Sequence, residues 1–311
     1  MTKRHFYILL ILLIIIACNK KSRNSLKKNS LLSHYPSASG AEYFNNHVYV
    51  IGDDAKYILI LDSSLAIKDS ITLYSFPEKK IPKAIKPDIE SIAVTAGNKL
   101  LLLGSGSIVP YRNAGWLIDP ISKQKDSLQL DSFYNRLKAN GIDEINIEGL
   151  CHIPGYMAIA NRGNKSYRKN MLIITKKDFW INQANAPISL IHLGTNTDST
   201  VFNGVSGLAY SAKTDKLLIT VSTEDTRNNI DDGSIGKSYL WIVDNISTKK
   251  KWKAINPNTI IDLEEIDARF KGQKIESVCI LQEDEKSFTL LLAADNDNGR
   301  STLFTLSISK D

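Results

Sequence analysis

The sequence predicts an all-β protein built as a single β-propeller of five blades, each with four short antiparallel strands. Three observations carry this. One short pattern recurs five times along the chain. Each recurrence is followed by apolar runs of strand length separated by polar turns. Only two stretches have the character of a helix.

The recurring pattern is an acidic or serine residue, a small residue, a short apolar run, a turn and then a strongly apolar strand. It appears as Ser39-Gly40-Ala41-Glu42, Glu90-Ser91-Ile92-Ala93, Glu148-Gly149-Leu150-Cys151, Ser206-Gly207-Leu208-Ala209 and Glu276-Ser277-Val278-Cys279, at intervals of 51, 58, 58 and 70 residues. Second strands are expected at 48–51, 100–103, 156–160, 217–221 and 289–293, and third strands at 58–61, 116–118, 171–174, 239–243 and 303–306. Fourth strands are expected at 70–73 and 127–130. The 70-residue interval leaves room for a sixth, degenerate unit. The fifth unit ends after its third strand, so the stretch around 31–35 is expected to supply the missing one and close the ring. The helical candidates, Asp131–Asn140 closed by Gly141 and Leu263–Phe270, both fall between blades.

Ahead of the repeats lies an export signal. Lys3 and Arg4 precede an unbroken apolar run from Phe6 to Ala17, too short for a bilayer span of about 20 residues. The run ends in Ile15-Ile16-Ala17-Cys18, which resembles the lipobox of bacterial lipoproteins. That resemblance implies cleavage before Cys18 and lipid on its thiol. Asn19, rather than an aspartate, implies sorting to the outer membrane, with the domain facing the periplasm. The expected organisation is a signal peptide at 1–17, the lipidated cysteine and a flexible tether at 18–35, and the propeller at 36–311. The membrane is then a partner through the lipid alone.

The formal charge of +6 is local to this leader. Residues 1–38 hold seven of the 39 basic side chains and no acid, which leaves 32 bases against 33 acids in the rest. A near-neutral domain offers no basic stripe, so nucleic acid is excluded as a partner. Of the three cysteines, Cys18 is the lipidation site, and Cys151 and Cys279 occupy equivalent places in separate repeats. They are expected to be buried free thiols.

Blade geometry gathers distant residues. The first strand begins, and the loop after the second strand lies, on one face of the disc, together with the connection from the preceding blade. Glu90, Glu148 and Glu276 therefore converge near the axis, with Asp54, Asp88, Asp225 and Asp295 close to them. Bases occupy the same rim: Arg112, Arg162, Arg227 and Lys86 are the candidates for binding an anion. Carboxylates crowded together repel unless a cation compensates them. Oxygen-only ligands without a matching His or Cys set favour Ca²⁺. The alternative is that these acids are solvated turn residues or pair with the arginines.

Asp88-Ile89-Glu90-Ser91-Ile92-Ala93 and Asn146-Ile147-Glu148-Gly149-Leu150 resemble the D-x-E-G-hydrophobic blade motif of the SdiA-regulated periplasmic propellers, and also the esterase-like phytase family. Ser37-Ala38-Ser39-Gly40, Val50-Ile51-Gly52-Asp53-Asp54 and Ile85-Lys86-Pro87-Asp88-Ile89-Glu90 resemble a related family of uncharacterised envelope propellers. The resemblance covers about residues 36–308 and implies a five-bladed, calcium-binding propeller.

Other chemistries find no support. Gly104-Ser105-Gly106-Ser107 leads to Pro110 and a strand, so it is no dinucleotide loop. The five histidines lack zinc spacing, and His152 reads as a packed side chain. Two functions follow: a binding module taking a protein, glycan or phosphorylated small molecule at the propeller face, or a Ca²⁺-dependent phosphoester hydrolase. No identifiable nucleophile is present, which favours binding.

Overall fold

The computed structural model describes residues 24–194, 201–226, 228, 233–296 and 298–310. The expected export signal and Cys18 lie outside this range, as does Arg227.

Five sheets stand around one axis. Blade one comprises β2 (Ala38–Phe44), β3 (His47–Gly52), β4 (Tyr57–Asp62) and β5 (Ile67–Thr72). Blade two comprises β6 (Ile89–Val94), β7 (Leu100–Gly104), β8 (Ala114–Ile118) and β9 (Lys125–Gln129). Blade three has β10 (Ile147–Ile153), β11 (Tyr156–Asn161), β12 (Met171–Lys176) and β13 (Ser189–Leu193). Blade four has β14 (Asn203–Ser211), β15 (Lys216–Glu224), β16 (Ile235–Asp244) and β18 (Thr259–Asp262). Blade five is β19 (Lys274–Glu283), β20 (Ser287–Asp295), β21 (Ser301–Ser309) and, outermost, β1 (Ser25–Leu32) from the other end of the chain.

The ring is thus closed by its first strand, which runs antiparallel to its last, with Ser25 opposite Ser307 and Leu32 opposite Ser301. This corrects the expected tether over 18–35: residues 25–32 belong to the fold. An outermost strand packs on one side only, so it buries little and its sequence stays polar. Tyr35, which follows β1, is buried, and its hydroxyl donates to the carbonyls of Val50 at 2.8 Å and Tyr57 at 2.9 Å.

Among the described residues, no sixth blade occupies the 70-residue interval. After β16 the chain adds a two-residue strand, β17 (Ala254–Ile255), parallel to the edge of blade three, and returns as β18. Helix α1 (Asp131–Ala139) and the single helical turn α2 (Leu263–Ile266) fall where helices were expected, between blades. α1 buries Phe133, Tyr134 and Leu137, and Gly141 beyond it takes a positive φ of 100°, as a residue closing a helix often does.

The apolar residues of the middle strands point sideways into the neighbouring blades, giving five separate interblade cores. Leu100 to Leu103 of β7 are all fully buried, alternating between two of these cores. Outer strands such as β9 are exposed and carry Lys125, Asp126 and Ser127, which suits an unpaired edge. Cys151 and Cys279 are free and buried, in different cores.

Candidate functional site

The recurring Ser or Glu has a structural explanation that its spacing did not reveal. In every blade the pairing of the two innermost strands slips at this residue: at Ser39, Glu90, Glu148, Ser206 and Glu276. Each is the extra residue of a β-bulge, a device that re-aims a side chain. The bulges form a ring around the axis. In blades one and four the serine turns to the next blade, Ser39 Oγ donating to the Ile89 carbonyl and Ser206 Oγ to the Ile275 carbonyl, both at 2.6 Å. Blades two, three and five place a glutamate there instead, and those side chains enter the axial mouth.

That mouth is a polar cavity of about 80 Å³ lined by residues of all five blades. On one side, Lys86 bridges Asp53 and Asp88, reaching Asp88 Oδ1 at 2.8 Å. Arg112 Nη1 meets Asp88 Oδ2 at 2.7 Å, and Ser105 also donates to that oxygen. Glu90 stands beside this group without a hydrogen bond or ion pair of its own among the described residues. Ligand atoms of Asp53, Asp88 and Glu90 lie within 4.8 Å of one another. Asp88 takes a φ of 54°, a left-handed conformation that Asp tolerates better than most residues.

On the other side Arg162 is central. Its Nη2 lies 2.9 Å from Glu224 Oε2, and its Nη1 lies 3.7 Å from Glu148 Oε1 and 4.0 Å from Glu276 Oε2. Lys274 Nζ is 2.9 Å from Glu276 Oε1, and Asn146 Nδ2 donates to Glu148 Oε1 at 2.7 Å. Gly204 makes this possible: a Cβ there would lie 2.4 Å from Arg162 Nε.

The charges do not balance. Asp53, Asp88, Glu90, Glu148, Glu224 and, just behind them, Glu276 face five bases: Lys86, Arg112 and Arg162, which are buried, Lys274, which is half-buried, and Lys83, exposed at the opening. Six carboxylates against five bases leave an excess of one negative charge. Burial, together with repulsion from Asp88, Glu148 and Asp53, raises the Glu90 carboxyl well above its ordinary value. Burial also lifts Glu148 to about 8, aided by Glu276 and opposed by Arg162. Burial would raise Glu276 too, but Lys274 and Arg162 outweigh it and hold the carboxyl low. Burial thus favours the protonated forms of Glu90 and Glu148 in the folded chain.

Measured against the sequence, Glu90, Glu148, Glu276 and Asp88 do meet at one mouth. Asp54 points away to Lys80, 2.9 Å distant, and Asp53 takes the inward place. Asp295, at the end of β20, lies near Lys80 as well, and Asp225 pairs with Lys165 at the rim. Arg112, Arg162 and Lys86 are held by carboxylates, the pairing named above as the alternative. Sequence reasoning passed over Asn146, Gly204 and Lys274, yet each stands two residues before a bulged residue, where alternation returns the backbone to the same side.

A five-bladed propeller with a ring of bulges and a charged axial mouth defines the class of this protein. Within that class, the chain belongs to a family of unknown function, DUF6929, whose profile matches residues 34–308. No curated protein matches it in sequence. Among solved structures, the glutaminyl cyclase of Myxococcus xanthus aligns over 93% of this chain and 97% of its own, with a TM-score of 0.55 at 10% identity. A DUF4623 family protein from Bacteroides eggerthii aligns over 92% and 77%, at 0.44 and 12%. Virginiamycin B lyase from Staphylococcus aureus aligns over 91% and 99%, at 0.39 and 9%. At these identities the likeness is one of fold, and fold does not carry activity.

Proposed function

We propose that the chain is a binding module of the cell envelope, tethered by lipid on Cys18, whose charged axial mouth takes a divalent cation, Ca²⁺ ahead of Mg²⁺. The observation that carries this reading is the meeting of Asp53, Asp88 and Glu90, whose ligand atoms lie within 4.8 Å of one another in an oxygen-rich mouth where carboxylates outnumber bases. Asp53, Asp88 and Glu90 are the residues that would hold the ion. Glu90 is unpaired among the described residues, and Asp53 Oδ1 is a buried acceptor with no donor among them. A bound ion would supply two positive charges and open coordination positions for the oxygens of a ligand. A cavity of about 80 Å³ suits an ion with a few waters, and a larger ligand would rest over it. Lys86 already bridges two of the three acids, so the ion would compete with its ammonium, which argues for modest affinity.

An ion bound only by the folded chain stabilises it by about 2.7 kcal/mol at a hundredfold excess over the dissociation constant. Millimolar Ca²⁺ is therefore expected to raise the melting temperature relative to chelator, more than Mg²⁺ does, and Glu90→Gln is expected to remove most of the increase. Identical melting temperatures in chelator and in Ca²⁺ would overturn the cation reading. The phosphoester hydrolase reading has less support. Arg112 and Arg162 are engaged by carboxylates, and no histidine is among the described residues that line the mouth.

The lipid anchor rests on the Ile15-Ile16-Ala17-Cys18 motif. Because β1 begins at Ser25, only residues 19–24 would separate the lipid from the fold, a reach of about 20 Å when fully extended. Cys18→Ser is expected to abolish labelling by a fatty-acid analogue and to release the domain in soluble form. Persistent labelling of that variant would reject the anchor.

A further inference from the structure

At the opposite end of the axis, the five inner strands finish around a second cavity, of about 610 Å³. This is within the usual range for small-molecule sites. Three of its lining residues, Glu42, Cys151 and Ala209, share one position in the repeat. Three residues beyond each bulge stand Ala93, Cys151, Ala209 and Cys279, all small, and in blade one Glu42. Glu42 is the single charged side chain of that ring. Its carboxyl accepts from the amide of Tyr43 at 2.9 Å and from the amide of Val94, which fixes its orientation.

The lining has two characters. Val94, Ala209 and Ile280 give it an apolar wall, and Tyr43 and Tyr210 flank the opening. The hydroxyls of these tyrosines are turned to Asn46 and Asp215, so the rings rather than the hydroxyls are offered to a ligand. The polar contributions are Glu42, Thr95 and His152, whose Nε2 is buried without a hydrogen-bond partner among the described residues. Burial, and then Lys177, pushes the imidazole down, so it is neutral. No lysine or arginine is among the described lining residues. A half-buried carboxyl with no cation among the described lining residues lacks its natural complement, and aromatic faces also attract cations.

We propose that this cavity is a second binding site, for a small apolar molecule carrying one protonated amine. The ammonium pairs with Glu42, while the apolar wall and the two tyrosine rings cover the body of the ligand. The site is independent of the cation mouth, from which it is separated by the length of the inner strands.

Benzylamine and its neutral analogue benzyl alcohol test the assignment by calorimetry on the full chain at pH 8, above the value of about 7 to which burial lifts Glu42. The amine is expected to bind at least about tenfold tighter than the alcohol, the equivalent of one well-placed charged contact. Glu42→Gln, which keeps the shape of the side chain, is expected to erase that difference. Ala209→Leu, which fills the cavity from the opposite wall, is expected to weaken both probes. Glu90→Gln, at the other mouth, is expected to change neither. Equal affinity of the two probes, an amine preference that survives Glu42→Gln, or binding of neither probe would overturn the proposal.

Discussion

Replacing Arg162 by methionine is expected to destabilise the propeller by about 3–5 kcal/mol, the usual loss when one member of a buried ion network is removed. Arg162 is the guanidinium that Glu148, Glu224 and Glu276 share, and without it only Lys274 remains on that side. Methionine keeps much of the aliphatic volume, so the loss reports charge rather than packing. The effect is expected to shrink at pH 5, where protonation can neutralise the stranded glutamates. Adding Glu224→Gln to Arg162→Met should recover part of it, because the two residues are coupled. Urea denaturation at pH 5 and pH 8 measures all three quantities. A loss below about 1 kcal/mol at pH 8, the range of an exposed pair, would mean that solvent compensates the glutamates instead.

Stability is expected to fall as pH rises from about 5 to about 8. Glu148 is lifted from 4.5 to about 8, chiefly by burial, and Glu90 is raised as well. Between those limits the folded chain holds protons that the unfolded chain has released, so unfolding becomes easier with each step upward. Glu42, raised to about 7 at the other mouth, adds in the same direction. Glu276, held low by Lys274 and Arg162, acts oppositely and loses its contribution only in acid. A tenfold difference in proton affinity between the folded and unfolded chain is worth about 1.4 kcal/mol. Glu148→Gln, which cannot ionise, is expected to flatten the decline by at least about 1 kcal/mol. Urea midpoints between pH 5 and pH 9 check it. A stability that climbs from pH 5 to pH 8 would refute the protonation of Glu90 and Glu148 in the folded chain.

The blades were legible in the sequence because the propeller repeats one local decision. An inner strand must be small near the axis, and its neighbour must be apolar on both faces, so Glu148-Gly149-Leu150 and Leu100–Leu103 carry the same message in different blades. The outer strand of blade five was legible in part: closure by the segment ahead of blade one was expected around 31–35, and the strand lies at Ser25–Leu32. β1 is exposed or half-buried at every position but Leu32 and opens Ser-Leu-Lys-Lys-Asn-Ser, the composition of a linker. The candidate site was legible in its acids and not in its bases. Recurrence places Glu90, Glu148 and Glu276 at one mouth, but radial position leaves no mark on spacing. Arg162 looked like a rim residue and is instead the centre of a cluster. The distinction between Asp53 and Asp54 likewise depends on which of two adjacent side chains turns inward, and composition is silent on that.

The pairing of β1 with β21 sets the order in which this molecule can be completed. Contacts between neighbouring blades are local in sequence, and four blades can assemble from continuous segments of chain. The fifth needs residues about 280 positions apart, and separations of that kind slow folding because a long loop must close first. Until they meet, β21 presents an unpaired edge beside a finished sheet, the surface on which a second chain would most readily add a strand. Residues 25–32, the least protein-like in composition of all the strands, therefore act as the clasp of the ring, and a chain that has lost them would keep its blades and lose its closure.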